Sequence, residues 1–179
     1  MLISIVITVK NEERDMPDLL DSLAVQEQPI EVIVVDAHSE DRTQEIVKEY
    51  SEIYEFINLY THGGTRGVAR NYGVEKAKGE LVAFIDGDEI VNPFWAEEMR
   101  KSAKEYDVVA GKTIQIGYHG FEELERVELF HKGQDITYPS CNLLYDKGLF
   151  EKIDGFDPWF QTAEDIDLNL RAVEAGATI

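Results

Sequence analysis

Three acidic side chains follow a short apolar segment in the stretch LVAFIDGDE, residues 81–89. Asp86, Asp88 and Glu89 lie so close in sequence that their charges repel, unless water or a shared cation screens them. Gly87 separates the two aspartates and permits a sharp bend, so both carboxylates could approach one ion. The stretch therefore predicts either a cation site or a solvated turn, because Asp-Gly is also a common turn dipeptide.

The chemistry of these ligands narrows the choice of cation. Carboxylate oxygens without a neighbouring cysteine or histidine pair favour Mg²⁺ or Mn²⁺ over Zn²⁺. Proteins commonly hold Mg²⁺ with one or two carboxylates and complete its coordination with substrate phosphates. The pair Asp86 and Asp88 therefore predicts a metal that carries a diphosphate.

Polar side chains also follow the first two apolar segments of the chain. Thr8, Asn11 and Glu12 lie at the end of the first segment, and Asp36 closes the second. Asp36 could accept a hydrogen bond from a ribose hydroxyl or a base N–H. The alternative is a cap for the next helix, although Ser39 and Asp41 stand nearer to its start.

Two further pairs are candidates for chemistry. Arg66 and Arg70 flank a glycine-rich turn in an otherwise acidic chain, which indicates phosphate contacts, with ordinary surface arginines as the alternative. Glu164 and Asp165 stand at the predicted start of a helix, where the dipole alone would favour carboxylates. A functional interpretation requires one of them to act as a general base on a substrate hydroxyl.

The elements that must position these residues alternate between strands and helices. Over about 110 residues the order βαβαβαβαβ predicts a mainly parallel sheet with helices on both faces and the strand order 3-2-1-4. Ligands of such sheets bind beyond the carboxyl ends of the strands. Strands are predicted at 2–9, 31–37, 56–61, 80–86 and 108–116. Helices are predicted at about 16–27, from near 41, to about 78 with Gly79 as its cap, from 93, at 121–132 and at 163–176, and SCNLLYDKGLFEKI (140–153) is typical of a strand followed by a short helix.

We therefore expect one α/β domain over residues 1–179, with an irregular third after residue 110. The ending RAVEAGATI is typical of a helix, a glycine stop and the first residues of another strand, which indicates that a segment beyond residue 179 is missing. No stretch reads as a membrane span or a signal peptide, because the apolar N-terminus is too short and lacks basic flanks.

Charge argues against nucleic acid as a partner, and cysteine content excludes an intrachain disulfide. Acidic residues number 36 against 17 basic ones, a net charge of −19, so nucleic acid is a poor partner. Cys141 is the single cysteine, so no intrachain disulfide can form, which suits the cytosol.

Five segments in register resemble the family 2 inverting glycosyltransferases, which have the GT-A fold and use nucleotide sugars. The resemblance extends over nearly the whole chain, although Ala37 and His38 stand where the family often has Asp and Gly. The matching segments are ISIVITVKNEE (3–13), EVIVVDAHSEDRTQEI (31–46), GVARNYGVEKAKGELVAFIDGDE (67–89), CNLLYDKGLFEKIDGFDP (141–158) and AEDIDLNLRAVEAG (163–176).

The resemblance implies roles for the donor side, formed by residues 1–110. Asp36 would contact the base or ribose, and Arg70 would lie near the nucleotide or diphosphate. Asp88 would be the direct ligand of Mn²⁺ or Mg²⁺, with Asp86 nearer the ribose or a metal-bound water. The remaining nucleotide-pocket positions would be Thr8, Asn11 and Glu12.

On the acceptor side, residues 111–179, the resemblance implies that Asp165 is the catalytic base and that Glu164 touches the acceptor. Phe156 and Trp159 would lie near the acceptor as well. The donor would be a UDP or GDP sugar, with UDP favoured, and the acceptor a saccharide or a lipid-linked sugar. A lipid acceptor would bring the protein to the inner face of a membrane.

Two other functions remain open at this point. A phosphatase of the haloacid dehalogenase type also uses a DxD pair, with its first Asp as nucleophile, but places it after the first strand, which here ends in TVKNEE. A nucleotide-sugar-binding module without catalytic activity is the other alternative, although it would leave Asp165 without a task.

Overall fold

The computed structural model describes residues 1–114 and 127–179. A six-stranded sheet forms its centre, and a two-stranded hairpin lies outside it. The strands are β1 (Ile3–Val9), β2 (Ile30–Asp36), β3 (Ile57–Thr61), β4 (Leu81–Asp86), β5 (Val108–Ala110), β6 (Phe130–His131), β7 (Gln134–Asp135) and β8 (Asn142–Asp146). The order of the large sheet is β3-β2-β1-β4-β8-β5, and its first four strands pair in parallel, which confirms the predicted 3-2-1-4 arrangement.

The central strands are apolar on both faces because helices cover both faces. In β1, Ile5 and Ile7 pack into one core and Val6 into the other, as the period of two requires. The first core also contains side chains of α1 (Met16–Ala24), α2 (Thr43–Ile53) and α4 (Trp95–Ser102). The second contains side chains of α3 (Arg66–Lys76), α5 (Lys147–Lys152) and α6 (Glu164–Glu174).

Several predicted helix boundaries lie two or three residues from those in the structure, and α4 begins at Trp95 rather than at Pro93. Helix α1 ends at Ala24 rather than at residue 27, and α2 begins at Thr43 rather than near Asp41, whose carboxylate instead accepts the Thr43 amide hydrogen. Helix α3 ends at Lys76, so Gly79 does not cap it. A Cβ on Gly79 would lie 2.5 Å from the Leu2 carbonyl oxygen, so glycine is needed there for close backbone approach.

The chain after β4 departs most from the sequence prediction. The fifth strand is limited to Val108–Ala110, residues 111–114 form no strand, and residues 115 and 116 lie outside the described part. Strand β8 runs antiparallel to β4 and separates it from β5, so the sheet is mixed rather than purely parallel. The pairing partner that determines this arrangement comes from much later in the chain, which periodicity cannot detect.

The predicted helix at 121–132 is wrong where the structure describes it. Residues 127–129 have no regular structure and Phe130–His131 form a hairpin with Gln134–Asp135, while residues 121–126 lie outside the described part. His131 and Lys132 both bind Glu174 of α6. These tertiary contacts override a local sequence with good helix propensity.

Candidate functional site

A cleft of about 420 Å³ opens at the carboxyl ends of the parallel strands. Strand register places Thr8 opposite Asp86 and Val9 opposite Asp36, so the polar ends of β1, β2 and β4 converge as predicted. The lining comes from residues 8–10 and Glu12 at and beyond the end of β1, Ala37 after β2, residues 64–66 and Ala69 around the start of α3, and residues 86–88 at and beyond the end of β4.

Gly87 allows the turn after β4 to lie against the end of β1. A Cβ at this position would lie 2.9 Å from Val9 Cγ1 and 3.2 Å from Glu12 Cγ. The backbone of Gly87 does not adopt a left-handed conformation. Close approach, rather than the predicted sharp bend, is therefore the physical reason for glycine between the two aspartates.

Negative charge accumulates around this turn. Partial burial, together with the carboxylates of Asp88, Asp15, Asp41 and Asp86, raises the pKa of Glu12 above its usual range. Burial, and the charges of Asp86 and Asp88, raise the pKa of Glu89 to about 7, against hydrogen bonds that lower it. A cation at the turn would relieve this repulsion.

The donor set of the turn fits Mg²⁺ or Mn²⁺ bound mainly through a substrate. No group of three or more His, Cys, Asp or Glu side chains within residues 1–114 and 127–179 is arranged to hold a metal ion. Asp86 and Asp88 supply two hard carboxylates, which matches the small protein contribution that a phosphate-bound Mg²⁺ needs. The metal-binding role of both residues stays a prediction.

Asp36 is fully buried at the end of β2 and does not itself line the cleft, although its neighbour Ala37 does. Its Oδ2 accepts hydrogen bonds from the Ser39 amide at 3.0 Å and from Gln44 Nε2 at 2.6 Å. Its Oδ1 is buried without a hydrogen-bond partner among the described residues. Asp36 does not cap α2, and a buried acceptor without a partner is costly unless a ligand supplies the donor.

The structure places Asn11 apart from the lining of the cleft. The side-chain oxygen of Asn11 accepts the Glu40 backbone amide hydrogen at 2.8 Å, and the backbone amide of Asn11 donates to Ser39 Oγ at 2.8 Å. Asn11 also adopts a left-handed backbone conformation, with φ of 58°. These contacts join the loops after β1 and β2, and the predicted nucleotide contact of Asn11 stays a prediction.

The two arginines differ sharply in environment. Arg66 is exposed and lines the cleft at the start of α3. Arg70 is 2% exposed, and its two terminal nitrogens each donate to a carboxylate, at 2.8 Å to Asp86 Oδ1 and at 3.1 Å to Glu164 Oε1. The guanidinium carbon lies 5.5 Å from the centre of the Phe156 ring.

The predicted acceptor side contacts the turn after β4 through Arg70. Glu164 is 8% exposed, and the neighbouring Asp165 accepts hydrogen bonds through both oxygens, at 3.2 Å from the Ser140 amide and at 2.9 Å from the Ile166 amide. Phe156 is fully buried, whereas Trp159 is 89% exposed. The roles predicted for these residues stay predictions.

Sequence patterns did not identify several residues near the cleft. Lys10 and Thr65 line it, and Thr65 Oγ1 caps α3 by accepting the Val68 amide hydrogen at 3.3 Å. A threonine before a helical segment is a recognisable start signal for α3. His62 stacks on Tyr72 with its ring centroid 4.2 Å away, and its Nδ1 is buried without a partner among the described residues. No sequence signal indicated this contact.

A second depression, of about 500 Å³, lies along the exposed side of α2. It is lined mainly by acidic side chains and includes none of the predicted site residues, so its size alone does not make it the site. No helix within the described residues is long and apolar enough to cross a membrane.

Comparisons with known proteins agree with one another. The sequence profile of the family described as "Glycosyl transferase family 2" matches residues 4–156. The glycosyltransferase AglE of Haloferax volcanii is 27% identical over 99% of this chain, and this chain covers 63% of AglE. The glycosyltransferase GlyA of Streptococcus pneumoniae is 32% identical over 84% of this chain, which covers 21% of GlyA.

Solved structures share the fold. Residues 1–349 of TarS from S. aureus, in complex with UDP, superpose with a TM-score of 0.73 and 28% identity, over 96% of this chain and 55% of that chain. The same TarS fragment is also known in complex with UDP-GlcNAc. The mannosyltransferase PcManGT of Pyrobaculum calidifontis has a TM-score of 0.77 at 19% identity, a similarity of fold alone.

Proposed function

Because the chain belongs to glycosyl transferase family 2, we propose that it transfers a sugar from a nucleoside-diphosphate sugar to an acceptor hydroxyl, with inversion at the anomeric carbon. The chain spans 63% of AglE and about half of the TarS fragment, so the activity of the whole protein is part of this proposal. The hexosyl nature of the transferred group is proposed on the same grounds.

The observation that carries the proposal is the convergence of three distant sequence segments. Asp36, Asp86 and Glu164 come from the ends of β2 and β4 and from the start of α6. Strand register brings the first two to one edge of the sheet, and Arg70 joins the second to the third. A donor site and an acceptor site that share one boundary are what direct group transfer requires.

The donor nucleotide that fits best is UDP. Asp36 lies beneath Ala37 of the cleft lining, so a contact between its carboxylate and the base requires the loop after β2 to open. Its Oδ1, which has no partner among the described residues, would then accept the single N–H of a uracil edge, whereas a guanine edge presents two adjacent N–H groups. The TarS fragment, 28% identical, binds UDP and UDP-GlcNAc. The N-terminus of α3 and the exposed Arg66 border the cleft where a diphosphate would lie.

The residues of the turn after β4 would hold a divalent cation together with the diphosphate. Asp88 would bind it directly, and Asp86 would contribute through Oδ2, since its Oδ1 is paired with Arg70. When bound, Mg²⁺ or Mn²⁺ would supply positive charge that stabilises the departing nucleoside diphosphate.

Asp165 would act as the general base. Two backbone amides hold its carboxylate in place, and its oxygens retain lone pairs that can accept the proton of an acceptor hydroxyl. The hydroxyl oxygen then forms a bond to the anomeric carbon as the bond from that carbon to the diphosphate breaks on the opposite face. Fixed charges in the cleft would stabilise the oxocarbenium-like transition state without reorganisation.

The acceptor would be a saccharide, free or lipid-linked. Trp159 follows the segment that packs against Arg70, and its exposed indole offers an apolar surface on which a sugar ring can stack. Peripheral association with a membrane through a lipid-linked acceptor remains part of this proposal.

Thermal denaturation against UDP and GDP, with and without Mn²⁺, tests the donor assignment. A nucleotide at 100 times its dissociation constant should stabilise the fold by about 2.7 kcal/mol. Stabilisation by neither nucleotide would contradict the proposal.

Replacement of the proposed base separates catalysis from binding. We expect Asp165→Asn to reduce the transfer rate by about 10²–10⁴-fold, because general base catalysis contributes that much, and to leave the dissociation constant of UDP nearly unchanged. Transfer at the wild-type rate would refute the base assignment. Tight UDP binding by a wild-type protein that transfers no sugar would instead support a non-catalytic binding module.

A further inference from the structure

Arg70 lies beneath the cleft rather than in it. Its side chain is 2% exposed, and each of its two terminal nitrogens is hydrogen-bonded to a different carboxylate, one on Asp86 and one on Glu164. These two residues are far apart in sequence and belong to opposite sides of the proposed site. An arginine with this burial and these partners is poorly placed to bind a diphosphate directly.

The surroundings of Arg70 fix its guanidinium in one position. Phe156 lies against it, and the backbone of Phe156 is held by Asn71, whose Oδ1 accepts the Phe156 amide hydrogen at 2.9 Å and whose Nδ2 donates to the Phe156 carbonyl at 2.7 Å. Gly67 on the same helix lets this segment approach, since a Cβ there would lie 3.1 Å from Phe156 Cβ. The guanidinium is therefore part of a rigid junction between α3, the end of β4 and the start of α6.

We propose that Arg70 is a positioning residue that fixes the start of α6, and with it Asp165, relative to the turn after β4. The inference rests on the proposed function, in which Asp165 is the base and the turn holds the diphosphate. A planar guanidinium can hold two carboxylates at a fixed separation and angle, whereas a lysine ammonium is a single flexible point charge. The shape of Arg70, and not only its charge, is therefore required.

The substitution Arg70→Lys tests this role because it keeps the charge and removes the fork. Its matched control is Arg42→Lys, an identical chemical change at an arginine whose side chain is 64% exposed and pairs with Glu45, three positions away at the start of the same helix. Both variants are compared with wild type in the free protein, by hydrogen–deuterium exchange of the backbone amides of residues 167–169. We expect these amides to exchange at least about tenfold faster in Arg70→Lys, and at the wild-type rate in Arg42→Lys.

The rate of UDP release from UDP-GlcNAc with Mn²⁺, with water or a supplied saccharide accepting the sugar, distinguishes positioning from direct phosphate binding. Misplacement of a catalytic group by about 1 Å can cost about 10²-fold in rate, so kcat should fall by about that factor in Arg70→Lys. The dissociation constant of UDP should change less than about threefold. An unchanged kcat, or a loss expressed entirely as weaker UDP binding, would overturn the proposal.

The same junction can be tested through Glu164, and the exchange experiment can be read without a ligand. If Arg70→Lys fails to fold, Glu164→Gln weakens the same junction from the other side while keeping the side-chain shape, and exchange at residues 167–169 should again increase. Wild-type exchange in that variant would overturn the positioning role. If the wild-type protein binds no nucleotide, the proposed function fails, yet the exchange experiment still reports on Arg70 because it requires no ligand.

Discussion

Strand β2 buries one carboxylate near each of its ends, and the two differ in how fully their oxygens are hydrogen-bonded. Glu31 accepts hydrogen bonds through Oε1 from the Ser4 hydroxyl and the Lys78 amide, and Ser4 Oγ accepts the Gly79 amide hydrogen at 2.8 Å. Asp36, at the carboxyl end, has a buried Oδ1 without a partner among the described residues. The first arrangement is internally satisfied, while the second leaves an acceptor for something outside the described structure.

The same contrast applies to the two ends of the sheet as a whole. At the amino end, Glu31 joins β1 and β2 to the segment before β4 through neutral donors. At the carboxyl end, Arg70 faces both Asp86 and Glu164, and Asp88 and Glu12 add further negative charge nearby. The polar groups at the amino end therefore stabilise the fold, whereas the excess of carboxylates at the carboxyl end is what the proposed cation would neutralise.

The largest expected effect on stability comes from Glu31. Glu31→Ala would leave the Lys78 amide and the Ser4 hydroxyl without their acceptor, so the free energy of unfolding should fall by about 2–3 kcal/mol. Chemical denaturation measures this loss, and the dissociation constant of UDP should not change. Glu31→Gln keeps an acceptor oxygen and should lose less. If Glu31→Ala were as stable as the wild type, the structural role assigned to Glu31 would be contradicted.

Replacement of Asp36 should weaken UDP binding and leave the stability of the fold nearly unchanged, the reverse of the effect expected for Glu31. Asp36→Asn can keep an oxygen toward Ser39 and Gln44 but presents an NH₂ group in place of the acceptor Oδ1. We expect UDP to bind about 10–30-fold more weakly by calorimetry, while the free energy of unfolding changes by less than about 0.5 kcal/mol. Loss of stability without loss of UDP affinity would show that Asp36 is structural, like Glu31.

The smallest effect concerns pH. The pKa of Glu89 is raised to about 7 in the folded protein, above its unfolded value, so the folded state binds more protons between these two values. Its stabilising contribution is therefore complete below the unfolded pKa and is lost as pH rises through about 7. In metal-free protein, Glu89→Gln should lose less stability than wild type between pH 5 and pH 8, by about 1 kcal/mol after allowance for solvent screening. Parallel pH profiles would contradict this.

The sequence predicted the parallel half of the fold because its signals are local. Runs of β-branched residues such as ISIVITV mark strands buried on both faces, and their order predicts which polar ends meet. In the C-terminal third, the strand and short helix at 140–153 and the helix at 163–176 were predicted correctly. The pairing of β8 with strands far earlier in the chain was not predicted, and tertiary contacts replace the helix predicted at 121–132 wherever the structure describes it.

For the candidate site, the sequence predicted which side chains meet at one edge of the sheet better than it predicted their contacts. Asp36, Asp86 and Glu164 were identified from their positions at the ends of elements, and the structure brings them to one region. The burial of Arg70 could not be foreseen, since Glu164, one of the two carboxylates that pair with it, lies 94 positions away. The open Oδ1 of Asp36 likewise depends on how Ser39 and Gln44 fold around the other oxygen.

We propose that the turn after β4 holds a divalent cation together with a nucleoside diphosphate. Calorimetry of UDP binding, with Mn²⁺ and with EDTA, tests it in wild type, in Asp88→Asn, and in Glu98→Gln as an exposed carboxylate control on α4. We predict that Mn²⁺ strengthens UDP binding by at least about tenfold in wild type and the control, about 1.4 kcal/mol, and that Asp88→Asn removes this gain while keeping the metal-free affinity. An equal Mn²⁺ effect in Asp88→Asn, or none in wild type, would contradict the account.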